Sequence, residues 1–129
     1  MANFASQIAG ARPHKRRRIL AVGNLKAKRD FLDVRDGARG LALLMRYGRS
    51  GEAYNLGSGR SRTVGEVFRR MIRLSGLNTK EVRLKTDRRL MSHNEIDDIR
   101  LNVSRLRRLS GFRPQIGLDQ TLKDILASW

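Results

Sequence analysis

A chain of 129 residues, 40% of them hydrophobic and with a mean hydropathy of −0.51, can build one domain with a core but not two. It has no cysteine, which excludes disulfides, thiolate nucleophiles and cysteine-built zinc sites, and His14 and His93 are too few for a histidine-built metal centre. The 28 Lys and Arg against 12 Asp and Glu give +16, a field that attracts polyanions, but aromatics at 5% offer little for base stacking.

In chain order, Phe4 and Ile8 are four apart and predict a short helical end that Gly10 can stop. A basic loop over 11–18 follows, with no acid before Asp30, and it reads either as a solvated loop or as a phosphate-contacting arm. Ile19 to Val22 is a short buried-strand candidate, and 29–34 is strand-like before a helix over about 36–47. That helix is expected to place Ala38, Leu41, Ala42 and Met45 on one stripe and to end on a left-handed Gly48. Glu52 to Leu56 is predicted as a strand. Thr63-Val64-Gly65-Glu66 has the capping-box pattern and opens a helix with Val64, Val67, Phe68, Met71 and Leu74 inward.

Residues 80–85 alternate polar and apolar, as a half-exposed strand does, and 86–98 are loop-like. Asn102 or Ser104 can cap a short helix bearing Leu106 and Leu109, which Gly111 to Pro114 breaks. A last helix from about 118 aligns Leu118, Leu122, Ile125, Leu126 and Trp129. The pattern is α/β, with short strands and three to four amphipathic helices. No apolar run nears the roughly 20 residues that span a bilayer. The first residues lack the basic and apolar regions of a secretory leader, so a cytoplasmic location away from membranes is expected.

Catalytic patterns are scarce. Gly57-Ser58-Gly59 starts like a dinucleotide turn, but Arg62 stands where the third glycine belongs, so a strand-ending turn is the simpler reading. Ser58 has no histidine or acid at a triad spacing. Asp30, Asp33 and Asp36 recur every third residue, yet a strand running into a helix points them in different directions. Asp36 is expected in the first turn of that helix and Asp30 beside nearby arginines. Asp97 and Asp98 read as solvated, and His93 as an ordinary loop residue.

The ordered motifs carry more. Phe4-Ala-Ser-Gln-Ile-Ala9, Val22-Gly-Asn-Leu25, Arg29-Asp-Phe-Leu-Asp-Val-Arg-Asp36 and Gly51-Glu-Ala-Tyr-Asn-Leu-Gly-Ser-Gly59 come first. Val103-Ser-Arg-Leu106, Gly111-Phe-Arg-Pro114 and Thr121-Leu-Lys-Asp-Ile-Leu126 follow. Together they resemble the C-terminal part of extended short-chain dehydrogenase/reductases (the NAD-dependent epimerase/dehydratase family) acting on nucleotide sugars, nearest to GDP-mannose 4,6-dehydratase and GDP-4-keto-6-deoxymannose reductase. The resemblance implies an incomplete C-terminal lobe over 1–129, a single nucleotide-sugar-binding unit without a complete Rossmann domain. The family's Tyr-x-x-x-Lys pair is missing, since Gly51 follows Tyr47 and Ser58 follows Tyr54 at that spacing. No cofactor is therefore expected on this chain, although full-length members use NADP or NAD.

By the same resemblance, Val22, Gly23, Asn24 and Leu25 line a nucleotide pocket, and Arg29 lies near the diphosphate, where a guanidinium fork suits phosphate oxygens. Pairing of Arg29 with a local aspartate is the alternative. The family's Arg-Pro-x-Glu pattern reads Ser92-His93-Asn94-Glu95 here, keeping Glu95 and losing the arginine. That loss removes a charge-assisted bond of roughly 1.5–3 kcal/mol, which Arg88 or Arg89 would have to replace. The implied partners are a GDP-sugar and a Rossmann-domain partner or a second copy. The alternative is a basic module for nucleic acid or another polyanion.

Overall fold

The computed structural model describes residues 2–9, 18–78, 80, 82–91 and 96–129. Most of the basic loop, and Ser92 to Glu95 with both histidines, lie outside the described residues. The elements run α1 (Ala2–Ala9), β1 (Arg18–Val22), β2 (Lys28–Asp30), α2 (Val34–Tyr47), β3 (Ser61–Thr63), α3 (Val64–Leu74), β4 (Val82–Thr86), α4 (Ser104–Ser110) and α5 (Leu118–Ala127). A 3-10 turn over Arg88–Leu90 interrupts the expected loop. β1 pairs in parallel with β4, with Leu20 opposite Leu84 and Val22 opposite Thr86. β2 pairs antiparallel with β3, with Arg29 opposite Arg62.

Apolar periodicity explains the main core. Phe4, Ala5 and Ile8 of α1, Leu20 and Val22 of β1, Val67, Met71 and Ile72 of α3, and Leu122 of α5 are all buried together. The rings of Phe4 and Phe68 stack with centroids 3.8 Å apart. Thr63 caps α3 as expected, its hydroxyl accepting from Glu66 N at 3.0 Å, but the Glu66 carboxylate pairs with Arg62 instead of closing the box. Asn102 Oδ1 accepts from Ser104 N at 3.1 Å, and α4 ends on Gly111 in the left-handed region.

Three expectations are corrected. The stripe expected on α2 is present and faces solvent: Leu41 is 56% and Met45 90% exposed, and Ala38 and Ala42 are exposed too. The buried face is instead Asp36 and Gly40. Asp36 is anchored by hydrogen bonds to the 115–116 backbone, and a side chain at Gly40 would collide with Leu56 and Phe112. Gly48 closes α2 with φ −65° and ψ 147°, not left-handed, its N–H still reaching Leu44 O at 2.7 Å. Glu52 to Leu56 forms no strand, because no described strand lies beside it to complete a ladder. Trp129 lies past the end of α5 and is 60% exposed.

Candidate functional site

β1 and β4 run in parallel, so the segments that leave them emerge on one edge, and in open α/β sheets the carboxyl ends of parallel strands are where ligands gather. Asp87 N donates to Val22 O at 2.8 Å, joining the two exits. At Gly23 the backbone comes so close to the 3-10 turn that an added Cβ would stand 2.6 Å from Leu90 O. A side chain there would force the two segments apart. The structure thus brings together Val22 to Leu25 and the turn holding Arg88 and Arg89, 65 positions apart in sequence.

The first loop is held rigidly. Asn24 Oδ1 accepts from Lys26 N at 3.0 Å and Ala27 N at 3.3 Å, a side chain standing in for a backbone turn. Leu25 O accepts from Gly65 N at 2.9 Å and Ala27 O from Val64 N at 2.8 Å, pinning the loop to the first turn of α3. Val22 is buried in the core and presents only its backbone to the edge. Arg88 is exposed. Arg89 donates to Asp87, which holds the Asp87 carboxyl well below the usual range, at about 2.

Arg29 sits on β2, and its Nη1 donates to Lys28 O and to Ile96 O, each at 2.7 Å. The 96–99 segment lies alongside β2: Lys28 N donates to Asp97 O at 2.7 Å and Ile99 N to Lys28 O at 3.0 Å. Asp98, expected to be solvated, pairs with Lys28 at 3.4 Å. Arg29 therefore reaches the segment that directly follows Glu95, while Glu95 itself lies outside the described residues.

The three spaced aspartates diverge as expected, each toward its own task. Asp30 does not pair with arginines, and here the expectation is corrected. Its carboxylate accepts from Ser58 N at 2.7 Å, Ser58 Oγ at 2.5 Å, Gly59 N at 2.8 Å and Leu101 N at 3.3 Å. The reason is geometric: β2–β3 pairing sets Asp30 opposite Ser61, just past the amides of the 57–59 turn. Asp33 caps α2 and takes Arg35 and Thr121 Oγ1; the Arg35 fork, outweighing burial, holds its carboxyl far below the ordinary range. For Asp36 burial pushes the carboxyl up, but the Ile116 N–H, Arg39 and the Gln115 N–H together bring it below its ordinary value.

These contacts decide whether the chain could cradle a dinucleotide. Its one Gly-x-Gly, at Gly57 to Gly59, has the amides of Ser58 and Gly59 turned onto Asp30, and a pyrophosphate would have to displace that carboxylate. The Gly57–Gly59 turn therefore does not fit a dinucleotide pyrophosphate. Among the described residues no group of histidine and acidic side chains could hold a metal ion.

Sequence reasoning missed a cavity of about 600 Å³ between the β2–α2 junction, the 58–62 turn, α4 and the start of α5. Phe31, Leu32, Leu118 and Ile125 give it apolar walls, and Arg60, Arg62, Arg107 and Arg113 line it. Its arginines are up to 53 positions apart, so no local spacing marks them.

Comparison with known proteins settles the family. The family model described as GDP-mannose 4,6 dehydratase matches residues 2–125. The chain belongs to the GDP-mannose 4,6-dehydratase family. It is 30% identical over all 129 residues to a GDP-6-deoxy-D-mannose reductase of Pseudomonas aeruginosa, covering 41% of that protein. It is also 30% identical over 109 residues to a dTDP-glucose 4,6-dehydratase of an Actinoplanes species, with 84% of this chain and 33% of the relative covered. Among solved structures, RMD from Pseudomonas aeruginosa, complexed with NADPH, superposes with a TM-score of 0.84 at 29% identity, covering 99% of this chain and 41% of the other. The chain thus spans between a third and about two fifths of the length of these relatives. The expected fold class, an incomplete α/β portion of an extended short-chain dehydrogenase/reductase, agrees with this dehydratase-family membership. Among the described residues no helix is long and apolar enough to cross a membrane.

Proposed function

We propose that this chain is the GDP-sugar-binding portion of a GDP-mannose dehydratase- or reductase-type enzyme. Hydride chemistry then belongs to a dinucleotide-binding domain outside these 129 residues. The observation that carries the reading is the meeting of Val22 to Leu25 with the 87–91 turn at the carboxyl edge of β1–β4, in a chain matched to the family along nearly its whole length. Arg29 is assigned to the diphosphate and Glu95 to the substrate, with Arg88 and Arg89 as phosphate contacts in place of the arginine replaced by Ser92.

The uncovered elements support such a partner domain. Val34, Leu41 and Met45 form an exposed apolar line along α2, which a solvated helix has no reason to keep. Residues 52–56, strand-like in sequence, have no strand neighbour among the described residues, as a segment awaiting a sheet edge would.

A thermal melt with and without millimolar GDP-mannose tests the reading, with ADP-glucose as the charge-matched control. A ligand at 100 times its Kd adds about 2.7 kcal/mol, so GDP-mannose raises the melting temperature by several degrees and ADP-glucose does not. Equal shifts with both, or none, would contradict it. The charge of +16 favours a second reading, binding of nucleic acid or another polyanion. That mode would weaken steeply as salt rises and ignore the identity of the base.

A further inference from the structure

The arginine-lined cavity stands apart from the GDP-sugar edge, for none of Val22, Gly23, Asn24, Leu25 and Arg29 lines it. Its four arginines come from three places in the chain and face one carboxylate, Asp33, which is 5% exposed and already taken by Arg35 and Thr121. Arg62 pairs with Glu66 at 2.8 Å. Arg60, Arg107 and Arg113 make no side-chain hydrogen bond or ion pair among the described residues. Arg35, Arg39, Arg70 and Arg105, by contrast, are paired with Asp33, Asp36, Asp119 and Glu52. An adjoining cavity of about 360 Å³ shares Arg60 and Arg62 and adds Arg100.

Guanidinium forks drawn from three places in the chain to one cavity suit an oxyanion with more than two acceptor oxygens, which a carboxylate does not offer and a phosphate does. Phe31, Leu32, Leu118 and Ile125, which line the same cavity, suit an apolar body attached to that anion. We infer that this cavity is a second anion site, one that takes an organic phosphate: the phosphoryl group among Arg60, Arg107 and Arg113, and the ester group against Phe31 and Ile125.

Titration calorimetry with phenyl phosphate in about 0.15 M salt tests the site. The expected result is saturable binding, at least tenfold weaker in an Arg107→Ala/Arg113→Ala double variant and unchanged in Arg29→Ala. Both variants alter exposed or half-exposed side chains, and circular dichroism checks that they fold. Inorganic phosphate and benzoate should each bind more weakly than phenyl phosphate, lacking the apolar body and the third acceptor oxygen respectively. No saturable binding, equal loss in Arg29→Ala, or an affinity for inorganic phosphate as high as for the ester would overturn the assignment. Because GDP-mannose is a separate ligand with a separate variant, failure here leaves the GDP-sugar reading independently testable.

Discussion

Asp36→Ala should lower the melting temperature by on the order of 10 °C, corresponding to about 2–4 kcal/mol for a domain of this size. Asp36 is 1% exposed, and its carboxylate joins three partners: Gln115 N and Ile116 N, both at 2.9 Å, and Arg39 at 2.6 Å. Removing the carboxylate strands two backbone donors and leaves Arg39 with Arg113 O at 2.6 Å and the Phe112 ring. It also releases the 113–117 loop that sets the start of α5 and one wall of the arginine-lined cavity. Two companion variants separate these effects. Asp36→Asn keeps one acceptor oxygen and should recover part of the loss, whereas Arg39→Ala, at a side chain 34% exposed, should cost less than either. A change below 1 kcal/mol in Asp36→Ala, read from denaturant unfolding, would show that the loop does not depend on this carboxylate.

Asp30→Ala is expected to cost about 2–3 kcal/mol, because three backbone N–H groups and one hydroxyl lose a shared acceptor at once. The effect is smaller than for Asp36 since Asp30 is only partly buried and water can replace some of the bonds. Its functional consequence is larger. The 57–59 turn positions Arg60 and Arg62, so loosening it should weaken anion binding in the cavity even at temperatures where the chain stays folded. Ser58→Ala removes one of the four bonds and should cost about 1 kcal/mol with little change in the turn. If hydrogen exchange at Ser58 and Gly59 were as slow in Asp30→Ala as in the parent, the carboxylate would not be what holds the turn.

Much of the architecture was legible because burial and periodicity coincide there. α3 shows this: Val67 and Met71 are apolar, four apart and fully buried, and Thr63 marks the start. α2 shows the opposite. Its apolar line is real, but the helix is seated by a carboxylate and a glycine, Asp36 and Gly40, neither of which a hydrophobic pattern selects. Glu52 to Leu56 failed as a strand for a related reason, since a strand is a property of a pair and the second member is not among the described residues. The ordered motifs pointed to the family, because loops such as 22–25 and 57–59 are fixed by specific side chains rather than by composition. The arginine-lined cavity was invisible, as it gathers residues from a turn, a helix and a loop that only the folded chain brings together.

The central claim is that the carboxyl edge of β1–β4 holds a GDP-sugar, and amide-resolved NMR during a GDP-mannose titration tests it most directly. Saturable shifts are expected at Gly23, Asn24, Leu25, Arg29 and the 87–91 amides, matched by no comparable shifts with ADP-glucose. Shifts confined to the 58–62 turn and the 113–118 loop, or none that saturate, would contradict it.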